Sequence, residues 1–337
     1  MNKYKESVAV FISCFIFVVC LCGSAQADTG VSAIPRVDVH AHVGSTERMK
    51  DFIEVSKVLK DKYKIHLEIW INLSFQRRSG EENSEHLKIV RDRYNERFLP
   101  CINDYRIQDG LRYAPDKLSD WMKKGIVGYK LWFGVTDIID DPMFEPTFAK
   151  MEEIGMVGAS IHVAQPCPTK WCEDPVRFWQ AQNAWERVLD RHPDLKVVNA
   201  HMLDHFNSNE QLDYLMYVLE TYPNLHVDLA ARFQQFHRMD REKLRDFMIK
   251  YADRILYGTD IGGQPKPGQY ERVAEQYYRS FQLLETDQII RGGFFGETQT
   301  KGLALPEDVL KKIYYLNAAR LYPRVKDVLI QRGYSIE

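Results

Sequence analysis

The sequence predicts an α/β chain that folds as a single-domain (β/α)8 barrel of the TIM type. Eight short apolar runs recur along the chain, and segments with helical spacing separate most of them. No change of composition divides the chain, so one closed barrel explains the alternation. An open doubly wound sheet, the main alternative, would need a glycine-rich phosphate turn after the first strand. This chain has His-Ala-His-Val-Gly there instead.

The predicted elements alternate along the chain from strand to helix. The strands are predicted at Arg36–His40, His66–Asn72, Phe98–Ile102, Ile126–Leu131, Val157–His162, Lys196–His201, Leu225–Leu229 and Ile255–Thr259. Helices are predicted at Glu85–Glu96, Lys117–Lys124, Met143–Ile154, Val176–Arg191, Glu210–Tyr222, Asp240–Tyr251, near Tyr270–Leu284 and from Pro306. In a barrel of this order, functional side chains gather at the carboxyl ends of the strands.

The first 27 residues have the features of a secretory signal peptide. Lys3 and Lys5 precede an apolar run from Val8 to Cys22, and Ala25-Gln26-Ala27 then supplies the small residues of a cleavage site. The apolar run is short for a membrane span, and no second run of that length follows. We therefore expect residues 28–337 to form the mature domain, exported to the periplasm or secreted, with no stable membrane span.

Two cysteines in this segment, Cys20 and Cys22, raise lipid anchoring as an alternative to simple cleavage. The residues before them are not the small ones that a lipoprotein site uses, so we favour cleavage after Ala27. N-terminal sequencing of exported protein should then begin at or near Asp28. A sequence that starts at Met1 would refute this expectation.

Composition limits the classes of partner. The chain has 45 lysines and arginines against 47 acidic residues, a net charge of −2, which gives no electrostatic case for nucleic acid. Beyond residue 27 only Cys101, Cys167 and Cys172 remain, so disulfides are not the main framework. Cys101 is expected to be a buried thiol, and whether Cys167 and Cys172 form a bridge stays open. The expected partner is a small-molecule substrate, and a homo-oligomer stays open.

Residues 37–42, Val-Asp-Val-His-Ala-His, carry the first chemical signal. Alternate side chains of a strand share a face, so Asp38, His40 and His42 are expected to point the same way. Neutral imidazoles on one face beside an acid suit a divalent transition metal. A His-x-His pair alone is weak evidence, because histidines at a strand end also make ordinary hydrogen bonds.

Further histidine and aspartate residues stand at other predicted strand ends. His162 ends the fifth strand, His201 ends the sixth, and Asp260 lies just past the eighth. Each of them alone has a structural explanation, as a core histidine or as a turn-capping aspartate. Together with the first-strand histidines they form what a metal site needs, namely ligands from distant parts of the sequence that meet in space.

The ordered set of motifs resembles the amidohydrolase superfamily, in particular the amidohydrolase-related branch that includes aminocarboxymuconate-semialdehyde decarboxylase. The motifs are V-D-V-H-A-H at the first strand, G-Y-K-L at the fourth, S-I-H-V at the fifth, V-N-A-H at the sixth, L-H-V-D-L-A at the seventh and R-I-L-Y-G-T-D at the eighth. The closing Y-Y-L-N-A-A-R-L-Y-P is also similar to that family. The resemblance covers roughly Ile34 to Pro323 and implies a metal-dependent enzyme on a (β/α)8 barrel.

The resemblance also implies roles for the strand-end residues. His40, His42, His162 and Asp260 would bind one divalent metal, with Zn²⁺ as first choice and Mn²⁺ as second. His201 would lie next to the metal-bound water or the substrate as a catalytic acid/base or polarising group. Asp260 could both contact the metal and accept the proton of the water, because a bound Zn²⁺ lowers the pKa of water to about 7.

Lys130, at the fourth strand, leaves the number of metals open. Binuclear members of the superfamily carry a carboxylated lysine at this strand that bridges two metals. Mononuclear members often have a lysine in a similar G-x-K context, where its ammonium can pair with a carboxylate or a substrate anion. We favour one catalytic metal, with Lys130 near the substrate.

Other residues are candidates for substrate binding. Trp132 follows the fourth strand, and Arg232 follows the seventh, where a guanidinium could grip a substrate carboxylate in a bidentate manner. Arg77 and Arg78 lie in the loop after the second strand, and a solvated surface pair is the better explanation for them. An arginine paired with a nearby acid is the structural explanation for Arg232.

The sequence thus favours an exported metal-dependent hydrolase that acts with a metal-bound water on the carbonyl of an ester, a lactone or an amide. One alternative keeps the site but changes the reaction to nonoxidative decarboxylation of an aromatic or unsaturated acid. Another alternative, of a different class, is a binding protein on the same barrel without turnover. The intact set of ligand-type residues argues against the binding protein.

Overall fold

The central sheet consists of eight parallel strands that pair in chain order. The computed structural model describes residues 30–74, 80–105, 115–133, 139–163, 175–261, 267–291 and 298–337. Its strands β1 to β8 are Pro35–Ala41, His66–Asn72, Phe98–Tyr105, Gly128–Trp132, Val157–Ile161, Val197–Asn199, Leu225–Asp228 and Ile255–Leu256. Parallel order with a crossover between each neighbouring pair is the arrangement of a (β/α)8 barrel.

The last strand returns to the first. The backbone N–H of Val39 donates to the carbonyl oxygen of Tyr257 at 3.0 Å, and that of Asp260 donates to the carbonyl oxygen of His40 at 2.9 Å. A parallel bridge between Ala41 and Ile261 extends this contact. These bonds bring the segment that follows β8 against β1, so the predicted single-domain (β/α)8 barrel is confirmed.

Helices cover the outside of the sheet. In chain order α1 to α11 are Thr46–Tyr63, Gly80–Tyr94, Leu118–Lys123, Glu145–Ile154, Pro175–Arg191, Asn209–Thr221, Arg241–Lys250, Tyr270–Glu285, Glu307–Lys311, Asn317–Leu321 and Pro323–Gln331. Several begin at a capping side chain, as where Ser45 accepts from the N–H of Arg48 and Asp240 accepts from the N–H of Lys243. A two-stranded antiparallel pair, β9 (Ile289–Ile290) and β10 (Thr300–Lys301), follows α8.

The first strand changes its pairing register before it reaches the barrel mouth. Asp38 accepts hydrogen bonds from the hydroxyls of Thr259 at 2.6 Å and of Tyr277, on α8, at 2.7 Å. The expectation that Asp38 shares a face with the two histidines is therefore wrong. The physical reason is a register shift between Asp38 and Ala41, which breaks the simple alternation of the strand.

Two strands are shorter than predicted because their carboxyl ends leave the sheet early. Strand β6 stops at Asn199, and His201 already has a left-handed backbone with φ of 58°. Strand β8 stops at Leu256, and the N–H of Tyr257 donates to the carbonyl oxygen of Ile313 instead of a neighbouring strand. His201 and Thr259, which the sequence places at the ends of these two strands, thus lie in loops that begin at the barrel mouth.

Some sequence predictions fall outside the described residues. These are the signal peptide at residues 1–27, the Arg77-Arg78 pair, and the Cys167 and Cys172 pair. Cys101 lies inside them and is a buried free thiol, as expected. In the residues that the structure describes, no helix combines the length and apolar character that a membrane crossing requires.

Candidate metal centre

Five ligand-type side chains meet at the carboxyl ends of the barrel strands. They come from β1, from the loops after β5 and β6, and from the loop after β8, and they are His40, His42, His162, His201 and Asp260. Two overlapping groups place their ligand atoms within 4.8 Å of one another, a buried histidine triad and a more open group of two histidines and the aspartate. His40 belongs to both groups, so the five residues form one cluster, which we call the metal group.

Short distances join the ligand atoms. Nε2 of His162 lies 2.9 Å from Nε2 of His201. On the open side, Oδ1 of Asp260 lies 3.0 Å from Nε2 of His42 and 3.5 Å from Nε2 of His40. The side chains of His42 and Asp260 are 21% and 30% exposed, whereas that of His40 is fully buried, so the open side is where a substrate can approach.

Each imidazole in the metal group is held through its Nδ1 atom. Nδ1 of His40 lies 2.9 Å from Oδ2 of Asp228, and Nδ1 of His42 lies 2.6 Å from the hydroxyl of Ser74. Nδ1 of His162 contacts the carbonyl oxygen of Ser160, at 3.0 Å. Metal-binding histidines usually donate their second ring N–H to such partners, which fixes the tautomer and the ring orientation.

The fourth imidazole follows the same pattern. Nδ1 of His201 lies 2.8 Å from the carbonyl oxygen of Ala230. A carbonyl oxygen only accepts hydrogen bonds, so Nδ1 carries the proton and Nε2 of the neutral ring has a lone pair. The same argument applies to His162, and the two Nε2 lone pairs face each other across 2.9 Å. A cation that accepts the lone pair of His162 relieves this repulsion, so the donor set fits a divalent transition metal.

Burial favours the neutral form of three of the imidazoles, those of His42, His162 and His201. It lowers the pKa of His42 to about 4 and that of His201 to about 3, and it lowers the pKa of His162 well below its ordinary value. For Asp260, burial raises the carboxyl pKa, but the His40 and His42 imidazoles lower it more, and the net pKa falls well below its ordinary value. Neutral nitrogen donors and an ionised carboxylate are the protonation states in which these side chains bind a metal.

Lys130 lies beside the metal group and is buried. Its Nζ donates to the hydroxyl of Ser160 at 3.1 Å and lies 3.5 Å from Nδ1 of His162. Burial lowers its pKa to about 8. Trp132, two residues further on, places its ring 5.7 Å from the ring of His162. The structure therefore brings both of these predicted substrate-binding residues to the histidines, with the lysine deeper than the tryptophan.

The segment that carries His201 has an unusual backbone. Residues His201, Met202, Leu203 and Asp204 have φ values of 58°, 57°, 55° and 59°. A left-handed conformation costs an L-residue roughly 1–2 kcal/mol, and none of these four is glycine. Asp260 and Ser160 also have positive φ, at 57° and 55°. Such strain persists only where the surrounding structure holds it, and it is frequent at functional sites.

Arg232 does not point its guanidinium at open solvent. It is 1% exposed, its Nε donates to the carbonyl oxygen of His201 at 2.9 Å, and its Nη2 contacts Oδ1 of Asp204. The structure thus places Arg232 next to the metal group, where the sequence analysis expects a substrate-binding cation. Its contacts join it to the backbone of the His201 segment and to an acid.

The metal group depends on three further residues that the sequence analysis did not assign. Asp228 accepts from the N–H of His201 at 2.9 Å and pairs with His40, and the hydroxyl of Ser160 lies 3.0 Å from Nδ1 of His40. A Cβ on Gly258 would lie 3.0 Å from that of His40, so glycine gives the imidazole its room. Asp228 lies one residue before the end of the predicted seventh strand, Leu225–Leu229, and that position could have identified it.

Comparison with known proteins supports the same fold. Residues 37–324 match the family described as amidohydrolase. An uncharacterised TIM-barrel protein from Bordetella bronchiseptica is 16% identical, with 87% of this chain and 100% of that chain covered and a TM-score of 0.53. IDCase from Metarhizium anisopliae, in its apo form, is 14% identical, with 83% of this chain and 79% of that chain covered and a TM-score of 0.50. At such identities the structural likeness shows the fold alone.

A further solved structure is a dihydroxybenzoic acid decarboxylase from Polaromonas sp. JS666 with bound manganese and the inhibitor 2-nitroresorcinol. It is 15% identical, with 86% of this chain and 97% of that chain covered and a TM-score of 0.49. None of the proteins with curated descriptions matches the chain. The family match extends from the first barrel strand to the closing helices. The chain therefore belongs to the amidohydrolase family, whose members are metal-dependent enzymes.

Proposed function

We propose that this protein is an exported metal-dependent hydrolase of an ester, a lactone or an amide. One observation carries the proposal: Nε2 of His40, His42 and His201 lies 3.5, 3.0 and 4.0 Å from a carboxylate oxygen of Asp260, and Nε2 of His162 lies 2.9 Å from that of His201. His40, His42, His162 and Asp260 would hold the metal, with Zn²⁺ as first choice and Mn²⁺ as second.

Asp260 has the features of a proton acceptor in hydrolysis. A divalent cation bound in the metal group would polarise a substrate carbonyl and lower the pKa of a water molecule. The Asp260 carboxylate is ionised, is 30% exposed on the side chain and lies on the open side of the group. It accepts the proton that the water loses as it attacks the carbonyl carbon.

His201 lies near Oδ2 of Asp260, whereas His42 lies near Oδ1. Its Nε2 is 4.0 Å from Oδ2 of Asp260, and its Nδ1 proton is held by the carbonyl oxygen of Ala230. Nε2 can therefore receive a proton from the carboxylate side and return it to the leaving group, while the ring stays fixed. His201 is the acid/base residue of this proposal.

The contacts of Arg232 bear on the choice of substrate. Its guanidinium contacts Asp204, so the carboxylate-binding role expected from the sequence has no support from these contacts. A neutral carbonyl compound that packs on Trp132 suits the site. If the substrate also carries a carboxylate, the nearby cation is Lys130, whose Nζ lies 3.5 Å from the His162 ring.

Labelled water gives a direct test of hydrolysis. Zn²⁺-loaded mature protein is screened against esters, lactones and amides in water enriched in heavy oxygen, and the acid product should carry one labelled oxygen. Chelator-treated protein is the matched control and should show background turnover. Metal-dependent turnover without label in the product would contradict hydrolysis.

Decarboxylation is the second candidate, and the buried Lys130 beside His162 is the observation that favours it. An ammonium at that place could hold the carboxylate of an aromatic or unsaturated acid near the metal group. The same protein is then incubated with aromatic acids, and released CO₂ is measured. CO₂ release that depends on Lys130, as judged with Lys130→Met, would favour this reaction over hydrolysis.

A further inference from the structure

The loop that carries His201 is held from one side by the loop that follows β7. Within Asp228–Arg232, three residues bind the His201 segment: Asp228 accepts from the His201 N–H, Ala230 accepts from the imidazole, and Arg232 donates to the His201 carbonyl oxygen. The two loops belong to neighbouring strands. The position of the imidazole therefore depends on the loop after β7 as well as on its own.

Arg232 spans the whole left-handed turn. Its Nε donates to the carbonyl oxygen of His201, the first residue of the turn, and its Nη2 contacts the carboxylate of Asp204, the last residue. Both side chains are buried, at 1% and 6% exposure of the whole residue. A planar guanidinium with several donors in a fixed geometry can make both contacts at once, which an ammonium cannot do as well.

The two middle residues of the turn do not favour its conformation. Met202 and Leu203 have positive φ, although neither is glycine or one of the polar residues, asparagine, aspartate and histidine, that adopt it more often. Besides the guanidinium, a weaker contact from Gln182 to the carbonyl oxygen of Leu203, at 3.3 Å, supports the turn. Tertiary contacts must therefore select the conformation, and the Arg232 contacts are the ones that join its two ends.

We propose that Arg232 and Asp204 form a clamp that holds residues 201–204 in the left-handed turn and so fixes the His201 imidazole beside the metal group. They are positioning residues, because they act through His201. This inference rests on the proposed function, since a fixed imidazole matters for turnover only if His201 takes part in the reaction. The clamp explains why a buried arginine and a buried aspartate stand next to the metal group.

The test compares two buried arginines. In Arg232→Lys the charge remains, but the fork that joins His201 to Asp204 is lost. The matched control is Arg36→Lys, because Arg36 is also buried and also joins a backbone carbonyl, that of Ile34, to a carboxylate, that of Glu285, at 2.8 Å each. Melting temperature and metal content are measured for both variants alongside the wild type.

Hydrogen exchange in metal-free protein is the readout that does not depend on activity. In Arg232→Lys the backbone amides of residues 199–206 should exchange about tenfold faster than in the wild type, while the control leaves this segment unchanged. In metal-loaded protein, kcat should fall by about 10- to 100-fold with little change in KM or metal content, because a small displacement of a catalytic group is costly.

Asp204 variants provide a second, independent pair. Asp204→Asn keeps an oxygen that accepts from Arg232 and should retain most of the wild-type kcat, whereas Asp204→Leu, of similar size, should behave like Arg232→Lys. Unchanged exchange at residues 199–206 in both Arg232→Lys and Asp204→Leu would overturn the clamp. Faster exchange with unchanged kcat would overturn the positioning role. If the wild type hydrolyses nothing, the proposed function fails, and the exchange result still decides the clamp.

Discussion

Replacing both His40 and His42 with alanine is expected to abolish metal binding and all metal-dependent activity. The Nε2 atoms of the two imidazoles lie 3.5 and 3.0 Å from Oδ1 of Asp260, and the double variant leaves that carboxylate without them. Metal content is measured on purified protein after dialysis. A ligand present at 1,000 times its Kd stabilises a fold by about 4 kcal/mol, so a chelator should lower the melting temperature of the wild type and leave that of the variant unchanged.

Two further variants control for folding. His192→Ala removes a buried histidine that pairs with Glu152 at 2.9 Å and with Glu145 at 3.0 Å, neither of which belongs to the metal group, and should keep its metal. Loss of His40 also removes the partner of the buried Asp228. His42→Ala alone leaves that pair intact, removes the more exposed ligand, and should still weaken metal binding. Full metal occupancy in the folded double variant would contradict the assigned ligands.

His201→Asn is expected to separate chemistry from metal binding. Asparagine tolerates a positive φ better than most residues, and its side-chain N–H can still donate to the carbonyl oxygen of Ala230. We therefore expect metal content and melting temperature close to those of the wild type. Activity should fall by a factor of about 10², the usual size of an acid–base contribution, which corresponds to about 2.7 kcal/mol in the barrier.

Two results for His201→Asn would contradict the acid/base role, and each would assign a different role to His201. Loss of metal would move His201 from acid/base to ligand, which is a real alternative because His201 and His162 approach to 2.9 Å. Unchanged activity with unchanged metal would make it a core histidine. Arg232→Lys should reproduce the loss of activity in part, with the metal retained, since it displaces His201 without removing it.

The residues that meet at the site were predictable because the barrel topology brings the strand ends together. Once eight strands alternate with helices, the carboxyl ends of the strands must share one mouth, and His40, His162 and Asp260 stand at such ends in the sequence. No detail of the packing is needed for that step. The same reasoning could have singled out Asp228 at the end of the seventh strand, which the structure pairs with His40 at 2.9 Å.

What the sequence could not supply are local departures from regular strands. The register shift after Asp38 sends that carboxylate to Tyr277, although plain alternation puts it with His40. Histidine and aspartate tolerate a left-handed backbone, but Met202 and Leu203 do not favour it, so tertiary contacts select the turn. That turn brings Asp204 to Arg232. The guanidinium that we expected to bind the substrate therefore contacts the carbonyl oxygen of His201 and the carboxylate of Asp204.

Anomalous scattering from crystals soaked with Zn²⁺, measured at the zinc absorption edge, would locate a metal in the metal group. We expect one strong peak bonded to His40, His42, His162 and Asp260, with ligand distances of about 2.0–2.2 Å. A second metal bridged by a modified Lys130 would contradict the mononuclear site. Absence of any peak within the metal group, at full soaking concentration, would contradict the metal centre itself.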